Sequence, residues 1–426
     1  MADFSDTHNY DMPSIADSDL LTSIEVDFEG VDANKLFSDF TVREVVLVES
    51  LLSPGLQTSV KAHSYLHNLP TKTFDDLKGA LMKIKITRPI LSRFGVSDNL
   101  EVEQVTYRLG GRSSLDPNTT DNRKMINRGV EELVFHACDN SMLNDAANLV
   151  SKSWKCTRPS EIVKSILQEC VGVDPLKLNV EEADPAKDYV AENIHPFQVV
   201  SQQAAVALAG GNDPSFVHFM TYENKGTHHF RSLHTMAKQE KICDLYFSMA
   251  GQSYSYPWSI MNYTFPCDFD LLSDVLNGVN GVGANINSLL VVNPTTKLFS
   301  WIGNQSRGCG IGGGVHKVSM SNQNSEKAQD SCPDYVRVSV DKRQARMALL
   351  EKDKIALRLT VPWNTVFNAG RIININLVNS DDSTGQVLNY GSGLYLISSL
   401  VHNIKAGGYS TITMDCVSQT VGRGEV

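Results

Sequence analysis

Two stretches of this 426-residue chain repeat a period of two, and that alternation limits what the chain can fold into. Successive side chains of an extended strand point to opposite faces, so such a run buries one face of a sheet and wets the other. In the N-terminal third Val42, Glu44, Val46 and Val48 alternate with Arg43, Val45 and Leu47. Leu56, Thr58 and Val60 alternate with Gln57, Ser59 and Lys61, and Met82, Ile84 and Ile86 with Lys83, Lys85 and Thr87; Val105, Tyr107 and Leu109 continue the theme. Turn-rich segments, SPG at 53–55 and LDPNTTDN at 115–122, separate these runs. Several short strands joined this way predict a closed or nearly closed antiparallel barrel.

The same pattern returns in the last third: Val336, Val338 and Val340, then Leu357, Leu359 and Val361, then Ile373, Ile375 and Leu377, with further runs at Leu394–Val401 and Tyr409–Met414. Ala369-Gly370 and Ala406-Gly407-Gly408 supply turns, so a second barrel is expected. Between the halves the period changes. Thr157 is placed to cap a helix with Pro159 in its first turn, and Ile162, Val163, Ile166, Leu167 and Cys170 share one helical face. A second helix follows His195-Pro196, burying Phe197, Val200, Ala204 and Leu208, and Leu233–Gln239 is helical again. The fold class expected is therefore mainly β with an α+β insert: residues 1–20 a flexible acidic tail, 21–139 the first barrel, 140–240 a small α+β domain, and 241–420 the second barrel with a Gly/Ser-rich surface excursion near 304–334.

Charge and composition narrow the function. A formal net charge of −10 argues against a general nucleic-acid-binding surface. The first twenty residues hold five Asp and no Lys or Arg, unlike a secretory signal, and no stretch offers the ~20 consecutive apolar residues that cross a bilayer, so membrane insertion is not expected. Eight cysteines lie scattered with no C-x-x-C pair, as expected of reduced, mostly buried thiols.

The densest cluster of chemistry-bearing residues is HFMTYENKGTHHFRSL, His218–Leu233. Phe216, His218, Met220 and Tyr222 alternate with Val217, Phe219 and Thr221, Asn224-Lys225-Gly226 makes a turn, and Thr227–Ser232 returns. On such a hairpin His228 and His229 face opposite ways, so a metal site on His218, His228 and His234 is disfavoured. Gly308-Cys309-Gly310-Ile311-Gly312-Gly313 matches a dinucleotide fingerprint by letter, yet no amphipathic helix follows to meet a pyrophosphate. Glu131-Glu132 and Asp381-Asp382 are adjacent carboxylates that point apart on a strand. No catalytic, cofactor-binding or metal-ligating residue is assigned, and no cofactor is expected.

The order of the pieces is informative. VESLLSPGLQTSVKAHS, then EELVFHACDN with VSKSWKCTRPSEIVKSIL, then HPFQVVSQQA, FVHFMTYENKGTHHFRSL and a C-terminal LRLTVPWNTVFNAGRIININL with GSGLYLISSLVHNIKAGGYSTITMDC together resemble the baseplate hub proteins of contractile-tailed bacteriophages, over residues 20–420. The resembling closing segment is Ser392, Gly393, Tyr395, Ile397 and His402. The resemblance implies two tail-tube-like barrels in one chain and a structural, non-enzymatic role in the virion, assembled in the host cytoplasm. It implies a homotrimer joining a six-fold tail tube or tube initiator above to a three-fold spike below, with other baseplate proteins at the periphery and DNA passing through the lumen without specific binding. The segment matching Phe219–Leu233 has no chemistry in that family. A tailocin or secretion-system spike hub is the alternative of the same kind. A metal-dependent cell-wall hydrolase using His218, His228, His229 and Glu223 is the alternative of another, and a carbohydrate-binding sandwich using Trp258, Trp301 and Trp363 the third.

Overall fold

The computed structural model describes residues 20–30, 41–64, 77–113, 131–210, 213–247, 256–265, 282–287, 316–321, 357–377 and 391–418. The N-terminal runs form β1 (Ser23–Phe28), β2 (Thr41–Ser50), β3 (Gln57–Ser64), β4 (Leu81–Thr87), β5 (Asn99–Ser113) and β6 (Glu131–Cys138), with a short helix α1 (Ile90–Arg93) between β4 and β5. They pair antiparallel in the order β1-β4-β5-β6-β3-β2. In β4 the alternation holds: Met82, Ile84 and Ile86 are buried and Lys83 and Lys85 exposed. β2 departs from it. Its pairing with β3 slips between Val42 and Glu44, and beyond this bulge the inward residues are Val45, Leu47 and Glu49, while Val48 is 41% exposed.

The insert contains α2 (Asn140–Ala147), β7 (Val150–Thr157), α3 (Pro159–Glu169), β8 (Leu178–Val180), β9 (Lys187–Ile194), α4 (Pro196–Val206), β10 (Phe216–Thr221), β11 (Thr227–Ser232) and α5 (Leu233–Ala237). α3 buries Ile162, Val163, Ile166 and Leu167, leaving Cys170 half-buried at its end. Its cap is Arg158, not Thr157: Glu161 accepts from the Arg158 N–H at 3.5 Å, while the Thr157 hydroxyl donates to the Lys155 carbonyl. α4 buries Phe197, Val200 and Ala204, but Leu208 lies past its end, bridged to Asp184. These helices pack on Phe216 and Phe230 of the hairpin to form a core of their own.

The C-terminal part contains β12 (Lys241–Phe247), β13 (Asn262–Thr264), β14 (Val282–Asn287), β15 (His316–Ser321), β16 (Leu357–Pro362), β17 (Ile372–Leu377), β18 (Gly393–Lys405) and β19 (Thr411–Val417). The strand expected around Val336–Val340 and the glycine run at 308–313 lie outside the described residues. Within the 304–334 stretch β15 is extended and pairs in parallel with β14.

β18 joins the two halves. Along one edge its first residues pair with β17, and Ser399–Lys405 pair with β2; its other edge carries β19. The change of partner falls at a bulge between Ile397 and Ser399. One ring then runs β18-β19-β16, through residues 259–261 to β12 and β17, and back to β18; Ile260 N–H bonds the Tyr246 carbonyl at 2.9 Å and Met261 N–H the Thr360 carbonyl at 2.8 Å. The other ring closes where the end of β18 meets both neighbours, Ala406 N–H bonding the Arg43 carbonyl and Gly407 N–H the Thr22 carbonyl. At 13 residues and ~3.3 Å per residue, β18 is a shared stave about 40 Å long. One continuous apolar core spans both interiors, from Phe28 and Phe135 in the first ring to Leu359 and Ile375 in the second.

Candidate functional site

The histidine segment forms the hairpin expected of it, with Phe216↔Ser232 through Thr221↔Thr227 in register. His228 faces His218, whose Nε2 lies 3.2 Å from His228 Nδ1, and both rings pack against Phe197. His229 faces the other way: it stacks on Phe219 at 4.8 Å, its Nε2 lies 3.0 Å from Thr221 Oγ1, and its Nδ1 lies 3.3 Å from the Asn179 amide. Burial holds all three neutral: His218 well below 6.5, His228 at about 3 and His229 at about 4. His234 stands in α5, and among the described residues no three His, Cys, Asp or Glu side chains come together as metal ligands. Glu223, assigned to this cluster in the hydrolase alternative, lies on the His229 side of the hairpin and is already paired: its carboxylate accepts from Arg371 Nη2 at 2.7 Å and Asn368 Nδ2 at 3.1 Å.

Pairing of this kind makes the hairpin tip a three-way junction. Glu49, fully buried at the end of β2, accepts from the Tyr222 N–H at 2.7 Å and from the Ala369 N–H at 2.8 Å. One carboxyl group thus ties the first ring to the hairpin and to the loop between β16 and β17. Burial raises the Glu49 pKa from 4.5 to about 8, outweighing both N–H donors, and the nearby Glu223 charge adds to the rise. Tyr222 plugs the first ring, its hydroxyl donating to the Gln57 carbonyl at 2.9 Å. Lys225 reaches across to Glu101 and Glu103 of β5 at 3.0 and 2.7 Å. Gly370, at φ +81°, sits where a Cβ would lie 2.9 Å from Met236 Sδ and 3.0 Å from Phe219 Cζ, so the loop approaches the hairpin as closely as a glycine allows.

Beside the junction is a small cleft lined by Asn179, Thr221, Glu223, His229, Arg231 and Arg371 among others, with about 30 Å³ of room. That volume admits about one water molecule. Its polar groups hold one another, so the arrangement fastens pieces together. The sequence reading missed Glu49 and Arg371. The one signal was phase: Glu49 shares the strand face of Val45 and Leu47. Of the tryptophans, Trp363 is fully buried and accepts from Arg88 Nη1 at its carbonyl, Trp258 packs edge-on against Phe367, and Trp301 lies outside the described residues.

No protein-family model and no curated protein sequence matches this chain. Solved structures do match it. The tail protein from Neisseria meningitidis MC58 aligns over 94% of this chain and 98% of its own, at TM-score 0.56 and 11% identity. The 43 kDa tail protein of prophage MuSo2 from Shewanella oneidensis aligns over 93% and 98%, at TM-score 0.58 and 8% identity. The E. coli c3393 protein, described as a component of the type VI secretion system, aligns over 94% of this chain and 79% of its own, at TM-score 0.47 and 9% identity. The chain has the mainly-β fold of these two tail proteins, the fold that the sequence resemblance implies.

Proposed function

We propose that this chain is the structural hub of a contractile phage tail baseplate, adapting a six-fold tail tube to a three-fold central spike as a homotrimer. The observation that carries the reading is the end-to-end match to two tail proteins, one of them from a prophage, in which almost nothing of either chain is left over. In this reading residues 21–139 and 241–420 supply the two tube-like barrels and 140–240 the insert between them. A chain with two barrels meets a six-fold tube with three copies, because three times two gives six barrel positions. Both ring interiors are packed with side chains, so the passage for DNA runs between subunits. Part of the −10 charge on that passage repels phosphates and lets DNA slide. The partners are a tube or tube-initiator protein above, a spike below and peripheral baseplate proteins, within the virion tail and after assembly in the host cytoplasm. The role requires no catalysis, and the junction residues are occupied with one another.

Electron microscopy of particles carrying a tagged copy of this chain tests the proposal. Three copies in a ring at the junction of tube and spike are expected. Six copies, or a position away from that junction, overturn it.

A further inference from the structure

A row of five cross-strand partners runs through the first ring: His402 of β18, Leu47 of β2, Thr58 of β3, Ala137 of β6 and Thr106 of β5. Each is 2% exposed or less. Gln104, two residues along β5 and therefore on the same face, is equally buried. Tyr222 enters this layer from the hairpin. Its hydroxyl lies 3.2 Å from Thr58 Oγ1, its ring meets His402 edge-on with centroids 6.2 Å apart, and the Gln104 side chain approaches the same hydroxyl.

The layer is polar where ring packing alone calls for apolar groups. Both ring nitrogens of His402 and Thr106 Oγ1 are buried with no hydrogen-bond partner among the described residues, and the Gln104 amide, buried in the same layer, has no partner there besides the Tyr222 hydroxyl it approaches. Burial holds His402 neutral, so its imidazole presents one N–H donor and one acceptor; the Gln104 amide presents donors and an acceptor as well. Buried polar groups are nearly always bonded, because an orphaned donor or acceptor forfeits its hydration without return. Such atoms gathered in one buried layer call for bound solvent, which satisfies buried polar groups with two to four hydrogen bonds per molecule. Glu49, the next inward residue of β2, has both oxygens engaged by backbone N–H groups, so the layer's open chemistry is neutral and suits water rather than an ion.

We propose that the first ring encloses a bound cluster of ordered water molecules beneath Tyr222, held by His402, Gln104 and Thr106. The hairpin tip then seats on a hydrated polar layer, with the Tyr222 ring as its seal. This inference stands independently of the proposed hub role.

A crystal structure of the full chain at a resolution that shows bound water is the direct test, read together with the melting temperatures of His402→Leu, Gln104→Leu and the double variant. Water within hydrogen-bond distance of His402 and Gln104 is expected. Each single variant then lowers the melting temperature, and the double variant lowers it by less than the sum, since both remove partners of the same waters. A dry layer, with those atoms bonded directly to protein groups, overturns the proposal. So does a rise in melting temperature for either leucine variant, the result expected when an orphaned polar group is replaced by an apolar one. Where a variant fails to fold, the structure of the unaltered chain decides.

Discussion

Replacing Glu49 measures how strongly the first ring, the hairpin and the β16–β17 loop depend on one carboxyl group. Glu49→Ala removes the acceptor of two buried N–H groups, those of Tyr222 and Ala369. At ~1–3 kcal/mol per orphaned buried donor, the loss is about 2–6 kcal/mol. Ionisation supplies a second signature. A folded-state pKa raised from 4.5 to about 8 means that the folded chain holds a proton which the unfolded chain releases. The stability this contributes is fully present below pH 4.5 and is lost as pH rises through about 8. At ~1.4 kcal/mol per pH unit the swing is on the order of 5 kcal/mol. Glu49→Gln cannot ionise. Urea denaturation of both chains from pH 4 to 9 should therefore show the native protein losing stability relative to Glu49→Gln as pH rises, with the steepest loss between 4.5 and 8. A constant gap across that range would refute the burial argument, and an unchanged urea midpoint in Glu49→Ala would refute the junction itself.

Three further perturbations probe other parts. Ile166→Asp buries an unpaired charge in the insert core and should abolish soluble expression, whereas Lys164→Asp on the exposed face of α3 should be tolerated; equal behaviour refutes the assigned face. Gly370→Ala forces a Cβ against Met236 and Phe219 at a positive φ, and should lower the melting temperature more than Gly407→Ala, where φ is also positive but the space is open. His228 and His229 are neutral in the fold, with pKa values lowered to about 3 and 4, so the stability they contribute is present above pH 6.5 and is lost as pH falls towards those values. The His228→Ala, His229→Ala double variant should be less stable at pH 7, lose less on acidification to pH 4, and be indifferent to added zinc; restoration by zinc would count against a structural role.

The alternation at Met82–Ile86 and Leu357–Val361 made those strands legible, because each has one wall in a core and one outside it. The buried face of α3 was legible for the same reason at helical period. β7 was not: of its eight residues Val150 alone is buried, and a ribbon that touches the core so lightly leaves no apolar rhythm. The bulge in β2 was hidden because Val occupies both phases of the strand at 42, 45, 46 and 48, so the letters look equally good before and after the slip. The junction was less legible still. Arg371 and Glu223 are 148 positions apart, Glu49 and Ala369 are 320 apart, and nothing local marks partners chosen by topology.

Topology also decides what kind of object the two rings make. Two barrels joined by a linker can turn against each other, since little chain crosses the boundary. Here the boundary lies inside a strand. Ser399–Lys405 of β18 are hydrogen-bonded to β2, while Gly393–Leu396, a few residues earlier, are bonded to β17, so rotating one ring against the other breaks a sheet ladder. Arg88 donates to the Trp363 carbonyl, and the Thr365 hydroxyl to the Ser97 carbonyl at 2.7 Å, which fixes the same angle from a second side. The hairpin fixes it from a third, because Glu49 and Glu223 bind the tip to both rings at once. The relative placement of the two rings is thus held at three separate places, the shared strand, the Arg88 and Thr365 contacts and the hairpin tip. The spacing of the two rings is therefore a property of the single chain, set by β18 where its partner changes from β17 to β2.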